Sequence, residues 1–331
     1  MEKESSKQCA RVRYMDLAGG ILIIWVMVYH ALSTCRVFSP IDPRVELPWL
    51  TFSMPWFYYK SGQLFKGRTM MEGLRNDFKK LVTPFLKWSL AGYALYLIYQ
   101  FIDGDMSFKS CVTHPLNSLY KYGCMPICIP AWFVMSLFFV RVISRYLLSK
   151  HVSPIIIIVA GVAIGYVLNM HDDPMIPYFC MNVSMGLVFF MIGNKYGRFE
   201  RNPMVIAACA AGYVLFLATV PSIVGHHRNV LLSGNYLLWP VYAYCGIVVF
   251  NNVCRWIEML LPEKVFKFLR PLTFVGESTM ILLVSHGLIY LSIVRYSTLS
   301  PWATVGIIVA IYVVVFTPVL VYRYRKSVAR Q

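Results

Sequence analysis

Charge is scarce in this chain. Only 14 % of its 331 residues are Asp, Glu, Lys or Arg, against about 25 % in an ordinary soluble domain. Acidic residues are scarcer still, at fifteen against 31 basic ones. Hydrophobic residues reach 58 % and the mean hydropathy is +0.59. A soluble globular protein is excluded by that balance, and a disordered chain by the 15 % aromatic content. Other features are missing too. No glycine-rich phosphate loop occurs, no period of 20–50 residues and no low-complexity segment, so one domain over 1–331 is expected. The nine cysteines are scattered, some inside apolar blocks, which gives neither a disulfide framework nor a zinc ribbon. The first apolar run is long and no small-residue cleavage site follows it. It reads as a retained helix and not as a signal peptide.

What is present is a series of apolar blocks, at about 16–35, 48–66, 81–102, 129–148, 154–170, 176–194, 203–221, 236–256, 272–294 and 300–322. Each approaches the ~20 residues that a helix needs to cross the hydrocarbon core. In lipid the backbone must satisfy its own polar groups, so the blocks read as helices. The expectation is an all-α polytopic membrane protein, a bundle of about ten transmembrane helices. With the N-terminus inside, the inner segments hold 25 Lys and Arg and the outer segments six. Both termini are then cytoplasmic, 1–15 as an N-terminal segment and 323–331 as a tail. Topology and contact with membrane lipid account for the net charge of +16 without a nucleic-acid partner.

Ionisable residues inside such blocks are costly and are functional candidates by default. Thirteen of the acids are expected in loops or at span ends, leaving Asp16 in the first block and Glu277 in the ninth. His30, His286 and Lys60 join them. Asp16 and His30 are 14 residues apart, about 21 Å along a helix and nearly on one face. His30 therefore lies in the outer half, and His286, 15 residues past Pro271, at comparable depth. Competing structural roles stand beside these. Asp16 suits a helix start, Lys60 is within snorkelling reach of the inner edge, and either histidine suits packing. Lys87, Arg141 and Arg145 read as snorkelling topology charges, and Trp25, Trp49, Trp56, Trp132 and Trp302 as interface anchors. In the outer loop 103–128, Cys111, His114, Cys124 and Cys128 match no zinc pattern, and no metal site is assigned. Outer-turn clusters His171–Asp172–Asp173 and His226–His227–Arg228 read as solvated loop residues, with ligand recognition as the functional alternative.

Four segments in order carry a resemblance. RYMDLAGGILIIWVMVYHAL (13–32), FSMPWFYYKSGQLFK (52–66), PAWFVMSLFF (130–139) and VGESTMILLVSHGLIY (275–290) resemble helices of the membrane-bound acyltransferase family 3. Those proteins transfer acyl groups, usually acetyl, from cytoplasmic acyl-CoA to hydroxyls of surface glycans or their lipid-linked precursors. The resemblance implies His30 and Asp16 as catalytic residues and the Ser61–Gly62 pair as donor-binding, and the cations Lys60 and Arg13 at the inner mouth are expected to bind the donor with them. His286, Glu277 and Trp132 are in support. It also implies acyl-CoA (acetyl-CoA) as co-substrate with no permanently bound cofactor, a carbohydrate or lipid-linked glycan as acceptor, and a bacterial inner membrane as location. One departure stands out. The family pattern has Arg or Lys eleven residues before the helix-one His, and here that residue is Gly19. Lys60, at similar depth on the second block, is the expected substitute.

The chemistry suits these residues. An imidazole, with an ordinary pKa of about 6.5, can take a hydroxyl proton as general base or accept the acyl group itself. The face Asp16, Gly19, Ile23, Met27, His30 would line the path, with Arg11, Arg13 and Lys60 facing the CoA phosphates. The rival classes are a proton-coupled transporter or glycan flippase, and a non-catalytic assembly subunit.

Overall fold

The computed structural model describes residues 13–37, 50, 52–171, 176–219, 223–225, 230–233 and 235–328. Arg11, Trp49 and most of both outer-turn clusters lie outside them. The described chain is helical apart from one short antiparallel ribbon. In order come α1 (Arg13–Thr34), α2 (Ser53–Gln63), α3 (Met70–Ile102), α4 (His114–Tyr122), α5 (Ile129–Ser149), α6 (Pro154–Met170) and α7 (Tyr178–Met191). Then follow α8 (Pro203–Thr219), β1 (Ile223–Gly225), β2 (Val230–Ser233), α9 (Trp239–Leu260), α10 (Arg270–Glu277), α11 (Thr279–Tyr296) and α12 (Pro301–Val328).

Each apolar block contains a helix, but the lengths differ. Among the described residues, five helices are long and apolar enough to cross a membrane: α1, α3, α5, α11 and α12. A sixth forms if α7 with its extension to Arg201 and α8, which meet at 109°, make one bent span. The ninth block is not one helix. It breaks at Ser278, between α10 and α11.

Proline sets two local distortions by the same physics. A π turn at Phe78–Val82 immediately precedes Thr83–Pro84, and another at Lys109–Thr113 precedes His114–Pro115. Proline has no N–H and crowds the carbonyl four residues back, so the helix widens there. At the second turn the released carbonyls are taken by tyrosine hydroxyls from α3. Tyr93 donates to Cys111 O at 2.8 Å and Tyr96 to Ser110 O at 3.0 Å. That fixes α4 against α3.

Two helix crossings bring backbones into contact. A Cβ on Gly276 would stand 1.7 Å from Asp16 O, and one on Gly20 would stand 2.0 Å from Leu272 O. Only glycine fits at this crossing of α1 and α10. Gly62 and Gly193 do the same where α2 meets the end of α7, with 2.0 Å to Phe190 O and 2.2 Å to Tyr59 O. As a result α1 packs on α9, α10 and α11, while α2 packs on α7. Ala18, Leu22, Ile23 and Ala31 of α1 are fully buried in the main core.

Candidate active site

Lys60 turns inward from α2. Its Nζ donates to Met15 O at 3.1 Å, lies 3.4 Å from Asp16 Oδ1 and stands over the Trp56 ring at 5.1 Å. A Cβ on Gly19 would come within 3.2 Å of that amine. The ammonium therefore fills the room that a side chain at position 19 would take. It is not snorkelling outward. Asp16 sits in the first turn of α1, 7 % exposed, where the helix dipole favours a carboxylate. Glu277, at the end of α10, is brought to the same region by the Gly276 crossing.

A cavity of about 250 Å³ opens beside this pair, lined by Ile23, Lys60, Ser61, Leu137, Thr279 and Leu283 among others. Ser61 Oγ accepts a 2.9 Å bond from Arg141. Gly62 does not line it, because its Cα faces the Phe190 backbone. Arg13 does not line it either. Its side chain is 45 % exposed and is engaged by Glu258 (3.6 Å), Glu263 (3.2 Å) and the Phe266 ring (4.4 Å). Arg13 thus ties the start of α1 to the end of α9 and the following turn.

His30 lies about 21 Å further along α1 than Asp16, so the two do not touch. It lines a second cavity of about 330 Å³ with Trp25, Ser33, Ser53, Trp132 and Tyr290. Leu283 borders both cavities, and Ile23 and Val26 of α1 border one each. Met27 is buried and borders neither. The His30 imidazole stacks on Tyr290, with centroids 5.7 Å apart and planes 4° from parallel. The His286 ring centroid is 5.3 Å from that of His30, so the equal depth read from sequence corresponds to ring contact. His286 is fully buried, and its Nδ1 is 2.8 Å from Leu282 O. A carbonyl only accepts, so Nδ1 carries the hydrogen, and Nε2 lies on the far side of the ring. Among the described residues that Nε2 has no hydrogen-bond partner.

Several expectations need correction. Trp56 and Trp132 are core residues, 1 % and 5 % exposed, and not interface anchors. Trp56 Nε1 donates to Asn251 at 2.7 Å. Arg141 and Arg145 do not snorkel. Both bind Asp77 at 2.9 Å, and Asp77 is 1 % exposed. Glu200 is equally buried. It accepts from Tyr14 (2.9 Å), Tyr59 (2.8 Å) and Asn251 (2.9 Å) and pairs with Arg255 at 2.9 Å. Two acids assigned to loops are thus internal keystones at the Lys60 end. In the 103–128 segment Cys124 and Cys128 stay close enough to influence each other. Cys124 and Cys128 are buried free thiols, and burial raises both, Cys128 to about 12. His114 instead meets the Tyr96 hydroxyl at 3.2 Å.

The fold and site define a helical membrane protein with a histidine-lined cavity at one end of its first helix and a Lys–Asp pair at the other. The chain belongs to the acyltransferase family 3: the family's profile, described as an acyltransferase domain, matches residues 12–323. It is a membrane acyltransferase. No curated protein and no solved structure matches it.

Proposed function

We propose that this acyltransferase moves an acyl group, most simply acetyl, from cytoplasmic acyl-CoA to a hydroxyl of a carbohydrate or lipid-linked glycan across the membrane. The chain then crosses a bacterial inner membrane about ten times with both termini in the cytoplasm, as the Lys and Arg distribution favours. The observation that carries this reading is the pair of cavities sharing Leu283, one holding Lys60 and the other His30.

Lys60, held by Asp16, gives the inner mouth a fixed cation for an anionic donor. Gly19, at the level of Lys60, precedes His30 by eleven residues, about 16 Å of helix. A long, thin pantetheine arm suits that span. At the outer cavity a ring nitrogen of His30 takes the acceptor hydroxyl proton as its oxygen attacks the thioester carbonyl. The tetrahedral intermediate collapses, the C–S bond breaks, and the CoA thiolate leaves and recovers the proton. Tyr290 stacks the His30 ring in place, and His286 backs it. No permanently bound cofactor is needed, since the thioester supplies the activated group.

The direct test incubates purified protein with radiolabelled acetyl-CoA and a glycan acceptor. Label on the glycan supports the reading. Solute movement without transfer would instead support a transporter.

A further inference from the structure

A third cavity, about 590 Å³, adjoins the histidine cavity and shares Ile129, Trp132 and Leu291 with it. Its volume falls in the ~300–1,000 Å³ range of small-molecule sites. We infer that it is the acceptor subsite of this enzyme and that it takes an anionic sugar, one bearing a carboxylate or phosphate. This rests on the acyl-transfer reading for its role, but not for its ligand.

Three properties of the wall carry the inference. First, Tyr96, Tyr99, Tyr122 and Trp132 line it. Aromatic side chains offer flat apolar faces with polar tips, which match the C–H faces and hydroxyls of a pyranose. Second, Asn117 and the His114 ring, the latter already bonded to Tyr96, make the wall polar, and a purely apolar lipid chain would leave the Asn117 amide without a ligand partner. Third, Lys121 and Arg295 line it, and no carboxylate does so among the described residues. Arg295 is already engaged by Asp103, outside the lining, and stands over Tyr99 at 5.5 Å. Among the described residues no acid pairs with Lys121. Lys121 is therefore the cation left for a ligand.

The position agrees with this use. Helix α4, which carries His114, Asn117 and Lys121, is fixed to α3 by the tyrosine bonds to the π turn. The wall is thus built into the fold. Trp132 stands between this cavity and the one lined by His30. A sugar held on the tyrosines would present one hydroxyl toward the imidazole past Trp132.

The test is calorimetric titration of the full-length protein in detergent. The probes are a hexuronate-containing disaccharide, its carboxyl-reduced neutral counterpart, and the same disaccharide phosphorylated. The acidic disaccharides should bind about tenfold or more tightly than the neutral one, which is about 1.4 kcal/mol. Lys121→Gln should remove that difference, and Lys121→Arg should restore it. Whichever acidic sugar binds tighter identifies the anion. Equal affinities, no binding of any sugar, or an unaltered preference in Lys121→Gln would overturn the proposal. Titration reads binding without turnover. Lys121-dependent binding alongside a silent transfer assay would count against the acyl-transfer reading alone.

Discussion

Substituting Gly19 probes a position where this chain departs from the pattern its family resemblance implies. In Gly19→Lys a new ammonium must share the space already held by Lys60, whose Nζ is 3.2 Å from the Cβ position, with the Trp56 ring 3.3 Å away. Two like charges about 4 Å apart in an effective dielectric near 20 repel by about 4 kcal/mol. Asp16, 3.4 Å from Nζ, offsets part of that. A loss of about 2–3 kcal/mol in stability is expected, together with weaker acyl-CoA binding. Lys60→Ala alone removes the cation from Asp16 and should also weaken binding. The double variant Gly19→Lys/Lys60→Ala returns one cation to the same space. Its coupling should be favourable by about 1–3 kcal/mol relative to the sum of the singles. Thermal unfolding in detergent and acyl-CoA titration read the two effects. Strict additivity, or a single Gly19→Lys as stable as the parent, would refute the idea that Lys60 occupies the place of a residue-19 side chain.

Other outcomes follow from the packing. Asp77→Asn leaves Arg141 and Arg145 without a full counter-charge in a buried site. Breaking a buried pair costs about 3–5 kcal/mol, so thermal unfolding should move sharply downward. An unchanged midpoint would mean that the triad is solvated. Gly276→Ala drives a Cβ to 1.7 Å from the Asp16 carbonyl and should cost at least about 1–3 kcal/mol, measured the same way. Gly306→Ala, with nothing within 4 Å, should stay within about 0.5 kcal/mol of the parent.

The helices and the depth of their ionisable groups were legible because both depend on local pattern. Helical arithmetic set His30 and His286 at comparable depth, and the placement of the first two blocks set Lys60 at a depth similar to that of Gly19. Burial of Asp77 and Glu200 was not legible. Each sits in a charged stretch that reads as a solvated loop, and each is buried by partners far along the chain. Arg141 and Arg145 lie 64 and 68 residues from Asp77, and Arg255 lies 55 from Glu200. Tyr290 was missed for a different reason. It is one of 22 tyrosines in a chain rich in aromatics, and nothing local marks the one that stacks on His30. Gly62 shows the converse. A motif position suggested donor contact, whereas the structure assigns it to a backbone crossing with Phe190.

The most direct measurement reconstitutes the protein and its His30→Ala variant in sealed proteoliposomes of known orientation. Labelled acetyl-CoA is supplied on the Lys60 side and a glycan acceptor is confined to the His30 side. The parent protein should label the glycan across the bilayer, and His30→Ala should fall by about 10²–10⁴-fold with insertion intact. Near-parental labelling by His30→Ala, or labelling only when donor and acceptor share a compartment, would contradict transfer across the membrane at His30.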